Sequence, residues 1–480
     1  MREAELSRLR GPRKWIFVSA VPTLILASAG YGFLVRSRHV FPYRLIRRAS
    51  HALHISGRPK PVRHTAPVAA DTAASPEAIR RLANLPYLNG YRAADGGGAI
   101  RIHDRALAED GLNFFTSGHT LEATLMDMDG TVVRTWTADP VKAFPRFAEM
   151  KRWRHPPLLR DAELLADGGI AGIFDEVGIV RLDADSRVIW TWPGRVHHDL
   201  FVSETGTFWV LLNERRVVPG LGREDPVLED FVAEISAQGR LLRRISLVES
   251  FQRSDYAPML ARIPADKENI FHTNSVTVLD GSLASRSAAF RRGNLLVSIR
   301  NLNTIAVVSP DAGRVVWALS GQWYRQHCAR LLPTGHLLLF DNLGAMRPAS
   351  RALELEPFTQ EILWSYGGRP GEALLSATVG YVQRLRGGNT LITESTSGRV
   401  VEVTPNNRVV WEFVNPDRIR GRVEPQKEIV PVVYFMQRVG RDLPFLTWRA
   451  AGSPSGPRPS PPRAAPTPPE RAGTPPRAAT

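Results

Sequence analysis

Gly313-Arg314-Val315-Val316-Trp317 is one copy of the short motif that decides the fold of this chain. The motif consists of a turn residue, a variable position, two branched aliphatic residues and usually a tryptophan. Three more copies end in tryptophan, at residues 186–190, 360–364 and 407–411, and two weaker copies lack it at the fifth position, at residues 130–134 and 239–243. The chain therefore carries the motif six times.

The spacing of the copies predicts the architecture. Their first residues are 56, 53, 74, 47 and 47 positions apart, close to the length of a four-stranded propeller blade. A strand-like run precedes each copy, as at residues 304–308 and 399–403, so each unit contains a hairpin. One motif repeated six times favours an all-β, six-bladed β-propeller over a β-sandwich or two stacked sheets. The spacing of 74 predicts one insertion.

The two ends of the chain differ in composition from its middle. Residues 15–35 form an uncharged, mostly apolar run of 21 residues after a basic segment, residues 1–14, and are expected to form a transmembrane helix. A cleaved signal peptide is the alternative, because a basic start and a small-residue site match that pattern too. We expect a linker at 36–88, the propeller at 89–450 and a disordered, proline-rich tail at 451–480. Basic residues flank the apolar run on both sides, so charge does not decide its orientation.

The strongly basic composition does not indicate nucleic-acid binding. The formal charge is +15, but residues 66–450 carry 45 Lys and Arg against 44 Asp and Glu. The excess lies beside the apolar run and in the tail, where membrane lipid is the expected partner, whereas a nucleic-acid surface needs clustered cations on the folded domain. The single cysteine, Cys328, excludes an internal disulfide framework and a cysteine zinc site. On a strand beside His327 it should face the other way and pack.

A glycine marks the turn in the second half of several units and allows their registers to be compared. His198 lies eight residues before Gly206, and His327 lies eight residues before Gly335. The two histidines therefore occupy equivalent positions on different blades. In a closed propeller such positions converge on one mouth of the central channel, so we expect both side chains in one pocket.

Three further residues join these histidines as candidates. They are His272 and Asn274, in Phe271-His272-Thr273-Asn274-Ser275, and Arg300, and all are expected to precede or end inner strands. Imidazoles supply a nucleophile and a proton carrier, and Arg and Asn donate hydrogen bonds to the oxygens of an anion.

Other polar and aromatic residues near these motifs are assigned structural roles. His197 is expected to be structural beside the better placed His198. His336, Asp341 and Asn342 are assigned to a strand and the turn after it. The tryptophans at the fifth motif position are expected to pack between blades.

The chain lacks a Walker-type phosphate loop, a Gly-x-Ser-x-Gly elbow and a His-Glu-x-x-His helix. It resembles the bacterial arylsulfotransferases that do not use a nucleotide sulfate donor, which are six-bladed propellers. The resemblance runs from about residue 89 to residue 416 through Leu125-Met126-Asp127-Met128-Asp129-Gly130, His198-Asp199, His272-Thr273-Asn274-Ser275, Ser298-Ile299-Arg300, Gln326-His327 and Leu338-Leu339-Phe340-Asp341-Asn342.

The resemblance implies transfer of a sulfuryl group from an aryl sulfate ester to a phenol. It implies that His327 carries the group and that His198, His272, Asn274 and Arg300 hold and polarise the sulfate, without a metal or cofactor. The apolar run at residues 15–35 predicts a single-pass membrane protein, and we expect its propeller on the extracytoplasmic (periplasmic or extracellular) side. Two alternatives remain: a propeller that binds an anionic ligand or envelope partner without transforming it, and a sulfatase-like hydrolase. The oligomeric state is left open.

Overall fold

The structure is a computed structural model that describes residues 92–93, 96–145, 158–344, 349–420 and 428–443. The predicted segments 1–14, 15–35, 36–88 and 451–480 lie outside the described residues. No helix among the residues that the structure describes is long and apolar enough to cross a membrane.

The described residues form strands with few helices. The strands are β1 (Ile100–His103), β2 (Leu112–Ser117), β3 (Glu122–Met126), β4 (Val132–Thr137), β5 (Leu159–Leu164), β6 (Ile170–Phe174), β7 (Gly178–Leu182), β8 (Val188–Pro193), β9 (Val196–Val202), β10 (Phe208–Arg216), β11 (Val227–Ile235), β12 (Leu241–Ser246), β13 (Thr273–Val278), β14 (Leu295–Ile299), β15 (Thr304–Ser309), β16 (Arg314–Ser320), β17 (His327–Leu331), β18 (Leu337–Asp341), β19 (Arg351–Leu355), β20 (Ile362–Tyr366), β21 (Gly368–Arg369), β22 (Glu372–Ala373), β23 (Tyr381–Arg384), β24 (Thr390–Glu394), β25 (Arg399–Val403), β26 (Val409–Val414), β27 (Ile419–Arg420), β28 (Glu428–Ile429) and β29 (Val433–Val439). The α-helices are α1 (Pro140–Ala143) and α2 (Leu247–Gln252), and the 3-10 helices are Ala257–Arg262, Ala288–Phe290, Arg300–Leu302 and Ser395–Ser397.

Most strands build six antiparallel sheets, which are the blades of a β-propeller, and β21–β22 and β27–β28 form two further two-stranded sheets. From the channel outward, blade 1 has the order β29-β2-β3-β4, blade 2 β5 to β8, blade 3 β9 to β12, blade 4 β13 to β16 and blade 5 β17 to β20. Blade 6 runs from β23 through β26 and adds β1 as a fifth, outermost strand. The predicted all-β, six-bladed propeller is confirmed.

The two ends of the described chain close the ring at different blades. β29, near the C-terminal end, pairs with β2 and becomes the innermost strand of blade 1. β1, near the N-terminal end, pairs with β26 on the outer edge of blade 6. Both closures join segments more than 300 residues apart in sequence, so the ring is sealed by main-chain hydrogen bonds between distant parts of the chain.

The six motif copies lie at the start of the fourth strand of every blade, which is the outermost strand except in blade 6, where β1 lies outside β26. Their first residues all adopt a positive φ, between 59° and 87°, as the tight turn before each of these strands requires. Glycine accepts this conformation freely; the other copies use Ser186, Gln360 and Asn407. The aliphatic residues that follow are exposed in some copies, as at Leu241 and Leu242, and buried in others, as at Val315 and Val410.

The core consists of layers between neighbouring blades. Six clusters of buried apolar residues fill the six interfaces of the ring within the described chain. Trp411 is fully buried between blades 6 and 1, and its indole N–H donates to the Met128 carbonyl. Trp190, Trp317 and Trp364 pack against their clusters as predicted but are only partly buried.

Blade 4 departs from the prediction of one insertion. Two segments are longer there than in the other blades, the connection at residues 247–272, which contains α2, and the hairpin at 279–294. The corresponding hairpins of blades 2, 3, 5 and 6 span five residues between their strands. The single long spacing therefore conceals two separate extensions, which a count between motif copies cannot distinguish.

Candidate active site

A cavity of about 290 Å³ lies where the starts of the inner strands converge. Antiparallel pairing places these strand starts and the ends of the second strands at the same end of the propeller, so loops and strands of every blade meet there. From blade 1 to blade 6, the lining includes Tyr434, Arg160, His198, His272, His327 and Thr396. Four of the five predicted site residues line this cavity, which is the pocket discussed below.

Three imidazoles lie in contact within the pocket. The ring centroids of His198 and His272 are 4.7 Å apart and those of His198 and His327 are 6.3 Å apart. His198 sits at an irregularity in the β9–β10 pairing, and both His198 and His272 have a positive φ. These local departures from a regular strand direct the side chains together. The equivalence of His198 and His327, predicted by counting from a glycine, thus holds in space.

His327 presents an unprotonated nitrogen. Its Nδ1 lies 2.6 Å from Asn342 Oδ1 and 3.2 Å from the Arg325 carbonyl oxygen, and both oxygens are acceptors. The Asn342 amide group cannot be reversed, because its nitrogen donates to the carbonyls of Ser376 and Val379. The proton of neutral His327 must therefore be on Nδ1, which leaves the Nε2 lone pair as the nucleophilic atom.

Burial keeps His327 neutral. Removal from water, followed by the nearby Arg300 guanidinium, lowers the pKa of His327 to about 3, although the hydrogen bond to Asn342 opposes the shift. At neutral pH the imidazole is therefore uncharged, as nucleophilic attack requires.

His272 has the opposite tautomer. Its Nδ1 accepts from the Asn269 side-chain amide at 2.9 Å, so its proton is on Nε2. Burial and the neighbouring Arg300 hold the pKa of His272 well below its usual range. The pocket therefore offers a lone pair on His327 and an N–H donor on His272. The lone pair can attack an electrophilic atom, and the N–H can donate to an oxygen bound to that atom.

Arg300 brings a buried positive charge to these imidazoles. It lies in the 3-10 turn that ends β14, the second strand of blade 4, and not an inner strand as predicted. Its residue is only 7% exposed, and Nη1 donates to Asn301 Oδ1 at 3.0 Å. Burial and then the Arg325 guanidinium lower the pKa of Arg300 to about 9, which still leaves it charged at neutral pH.

The charge of the pocket favours an anion over a metal ion. Nitrogen atoms of His198, His272 and His327 lie within 4.8 Å of one another, so the three could in principle hold a metal. The guanidiniums of Arg160 and Arg300, however, depress the pKa values of these imidazoles and would repel a second cation. An anion would be stabilised by the same charges.

Asn274 occupies a different position from the other candidates. It lines a smaller neighbouring cavity of about 40 Å³ that also touches His198 and His327. Its amide nitrogen donates to the Gln326 carbonyl at 2.7 Å, across the boundary between blades 4 and 5. This bond fixes the peptide that precedes His327. Asn274 thus lies next to the pocket and holds the chain that carries its nucleophilic imidazole.

Arg160 is a pocket residue that the sequence prediction missed. It lies eight residues before Gly168, the same count that relates His198 to Gly206 and His327 to Gly335. Its Nη1 pairs with Asp175 at 3.0 Å, and its guanidinium lies 5.6 Å from the centre of the Tyr434 ring. Extending the glycine count to blade 2 would have identified it.

Lys267 and Arg325 also line the pocket and were not predicted. Both lie on connections between strands rather than at a repeated strand position. Burial and the neighbouring Arg325 and Arg300 lower the pKa of Lys267, which indicates how closely these cations are gathered. No repeated signal in the sequence marks either residue.

Residues assigned structural roles divide into two groups. Cys328 packs in the core between blades 5 and 6, as predicted, and burial raises the pKa of its thiol to about 11. His336 pairs with Glu354 at 2.7 Å, and Asp341 with Arg351. Asn342 directly follows β18 as predicted and also contacts His327, and His197, which was expected to be structural, lines the pocket.

Taken together, the fold and the pocket define a propeller protein with an imidazole-rich pocket at one mouth of its channel, lined by the basic residues Arg160, Lys267, Arg300 and Arg325 and by the acidic residues Asp175, Glu176 and Asp230. The family model described as Arylsulfotransferase (ASST) matches residues 161–416, more than half of the chain. The chain belongs to the arylsulfotransferase family.

Similarity to individual proteins is distant. A protein of unknown function from Bacteroides caccae is 12% identical, covers 64% of this chain and 94% of its own, and has a TM-score of 0.43. The streptogramin B lyase structure is 11% identical, with coverages of 74% and 98% and a TM-score of 0.38. The Myceliophteria thermophila Cps50 (Swd1) propeller domain is 13% identical, with coverages of 68% and 90% and a TM-score of 0.40. No curated protein matches the chain.

Proposed function

We propose that this protein is an arylsulfotransferase that moves a sulfuryl group from an aryl sulfate ester to a phenol through a sulfohistidine on His327. The observation that carries the proposal is the His327 Nε2 lone pair, created by two acceptors at Nδ1 and adjacent to the charge of Arg300. Membership of the arylsulfotransferase family supports the reaction class.

In the first half-reaction, His327 Nε2 attacks the ester sulfur. An N–S bond forms while the bond between sulfur and the aryl oxygen breaks, and the departing phenoxide takes a proton from His198. Arg300 and the Nε2–H of His272 stabilise the sulfuryl oxygens as negative charge shifts onto them. In the second half-reaction a phenol attacks the sulfur, gives its proton to His198 and releases His327.

The remaining pocket residues suit the two parts of an aryl sulfate. Arg160, Lys267 and Arg325 add positive charge near the sulfate position. Val432 and Tyr434 supply apolar and aromatic surface that can pack against an aryl ring. The pocket thus offers cationic and apolar surface together, as an aryl sulfate requires.

The test uses the full chain with a chromogenic aryl sulfate, with and without a phenol, followed by peptide mass analysis. We expect acceptor-dependent phenol release and a sulfuryl adduct on His327. His327→Ala should abolish both. His336→Ala should retain both, because it removes an imidazole that pairs with Glu354 in the hairpin between β17 and β18. Absence of turnover and adduct in the wild type would contradict the proposal.

Two other outcomes would assign the pocket to another function. Saturable binding of the ester without an adduct or turnover would favour an anion-binding propeller. Release of inorganic sulfate without any acceptor would favour a hydrolase, in which water replaces the phenol. Only acceptor-dependent transfer through His327 supports the sulfotransferase.

We also propose that residues 15–35 anchor the protein as a single membrane span, with the propeller on the extracytoplasmic side. The support is the apolar, uncharged run of 21 residues between basic flanks. The full chain should remain with membranes after alkaline carbonate extraction, and a chain lacking residues 15–35 should not. In sealed cells, protease added outside should reach the propeller. Extraction of the intact chain by carbonate would overturn the anchor.

A further inference from the structure

His197 and His198 are joined side by side at the start of β9. Their Nδ1 atoms are 2.8 Å apart, and their rings are nearly perpendicular, at 89°. Two imidazole nitrogens at this distance share one proton, because one must donate and the other accept. With its Nδ1 occupied by His197, His198 keeps Nε2 for a ligand in the pocket.

A buried carboxylate lies on the other side of His197. Asp230 Oδ1 is 3.8 Å from His197 Nε2, and both side chains are at least nine-tenths buried. The second oxygen of Asp230 accepts from the Thr273 backbone N–H at 2.6 Å, which fixes the carboxylate next to His272. Burial raises the pKa of Asp230, and the His197 imidazole opposes this rise. The contacts therefore run in the order His198, His197 and Asp230, and all three residues line the pocket.

Ping-pong transfer creates a need for a place to keep a proton. The leaving phenoxide takes a proton in the first half-reaction, and a proton returns only when the next phenol enters. His198 is poorly suited to carry the positive charge by itself, because burial and the neighbouring Arg160 hold its pKa well below its usual range. His197, in contrast, has a carboxylate oxygen, Asp230 Oδ1, 3.8 Å from its Nε2.

We propose that His197 and Asp230 form a proton store behind His198, an inference that rests on the proposed sulfotransferase function. In the resting protein, the His197–Asp230 pair holds one proton in addition to the Nδ1–H of His197, which donates to His198 Nδ1. When phenoxide leaves, the Nε2–H of His198 moves to the phenoxide oxygen, and the Nδ1–H of His197 moves to His198. The pair is left with one proton fewer, and the number of protons is conserved.

The second half-reaction restores the store. As the acceptor phenol attacks the sulfur, its O–H proton moves to His198 Nε2, and the Nδ1–H of His198 returns to His197. The N–S bond of sulfohistidine breaks, its electron pair returns to His327 Nε2, and the aryl sulfate leaves. His197 and Asp230 thus exchange no proton with the substrate directly and act through His198 as positioning residues.

The test compares two donors that differ in their need for a proton. Nitrophenolate leaves readily without protonation, whereas phenolate from phenyl sulfate does not. General acid assistance is worth about 10²- to 10⁴-fold. In single-turnover measurements, His197→Gln should slow release from phenyl sulfate by at least about 100-fold and release from 4-nitrophenyl sulfate by less than about tenfold. Asp230→Asn should show the same bias to a smaller degree.

The controls separate this inference from the proposed function. If the wild type forms no adduct on His327 with 4-nitrophenyl sulfate, the sulfotransferase proposal fails. If it does, and both variants lose equal activity toward the two donors or none, the proton store is overturned. His336→Gln, in the hairpin between β17 and β18, should alter neither rate. Thermal melts of each variant verify folding, and Asp230→Asn decides the question if His197→Gln does not fold.

Discussion

The neutral state of His327 has a thermodynamic cost that can be measured as acid sensitivity. The folded pKa is about 3, against an ordinary value of 6.5, so between these limits the unfolded chain binds a proton at this position and the native protein does not. The free energy of unfolding therefore falls as pH decreases through this range. Each unit below 6.5 removes about 1.4 kcal/mol, so the group costs roughly 2 kcal/mol at pH 5.

The perturbation is His327→Gln, which cannot titrate but keeps an amide donor for Asn342 Oδ1. Relative to the wild type, the variant should gain roughly 2 kcal/mol of stability between pH 7.5 and pH 5, whatever its stability at neutral pH. Denaturant unfolding of both proteins at the two pH values measures the difference. A stability difference that does not change with pH would refute the inference that the nucleophilic imidazole is buried and neutral.

Four other substitutions test the assignments in the pocket and the core. Arg300→Lys should reduce transfer on the order of 10²- to 10³-fold, because a flexible point charge cannot replace the guanidinium fork; wild-type rates would contradict this role. Arg160→Met should raise the KM for aryl sulfate and also lower the melting temperature, because it leaves the largely buried Asp175 carboxylate without its cation; an unchanged KM in folded protein would contradict a role in binding. Trp411→Ala should lower the free energy of unfolding by about 3 to 5 kcal/mol, and Trp317→Ala by less, because Trp317 is only partly buried; equal losses in denaturant titrations would contradict the packing difference.

The architecture could be predicted from local signals in the sequence. The tight turn before the fourth strand of each blade requires a positive φ at its turn residue. That position is Gly, Ser, Gln or Asn in all six copies of the motif, and a variable residue and two aliphatic residues follow it. The glycine count worked for the same reason, since the hairpins of most blades have equal length. It related His198 to His327 and would have added Arg160 had blade 2 been included.

The features that escaped prediction depend on contacts between distant segments. Asn342 locks the tautomer of His327 from the end of the next strand, and His197 on β9 lies near Asp230 on β11, with β10 between the two strands; neither arrangement has a spacing of its own in the sequence. The two closures of the ring likewise pair β1 with β26 and β29 with β2, and no sequence motif identifies these strands as partners. Such pairings are set by the shape of the assembled ring.

The closure by β29 also bears on when the protein can become active during its synthesis. β29 and the residue just before it bring Tyr434 and Val432 to the pocket, while the strand it pairs with, β2, is made more than 300 residues earlier. Pairings of such high sequence separation form late and slowly. A nascent chain can complete blades 2 to 5 on the ribosome and still lack one wall of its substrate site. The complete pocket therefore arises only after translation has passed Val439, so a shorter nascent chain lacks the full site at which we propose the transfer takes place.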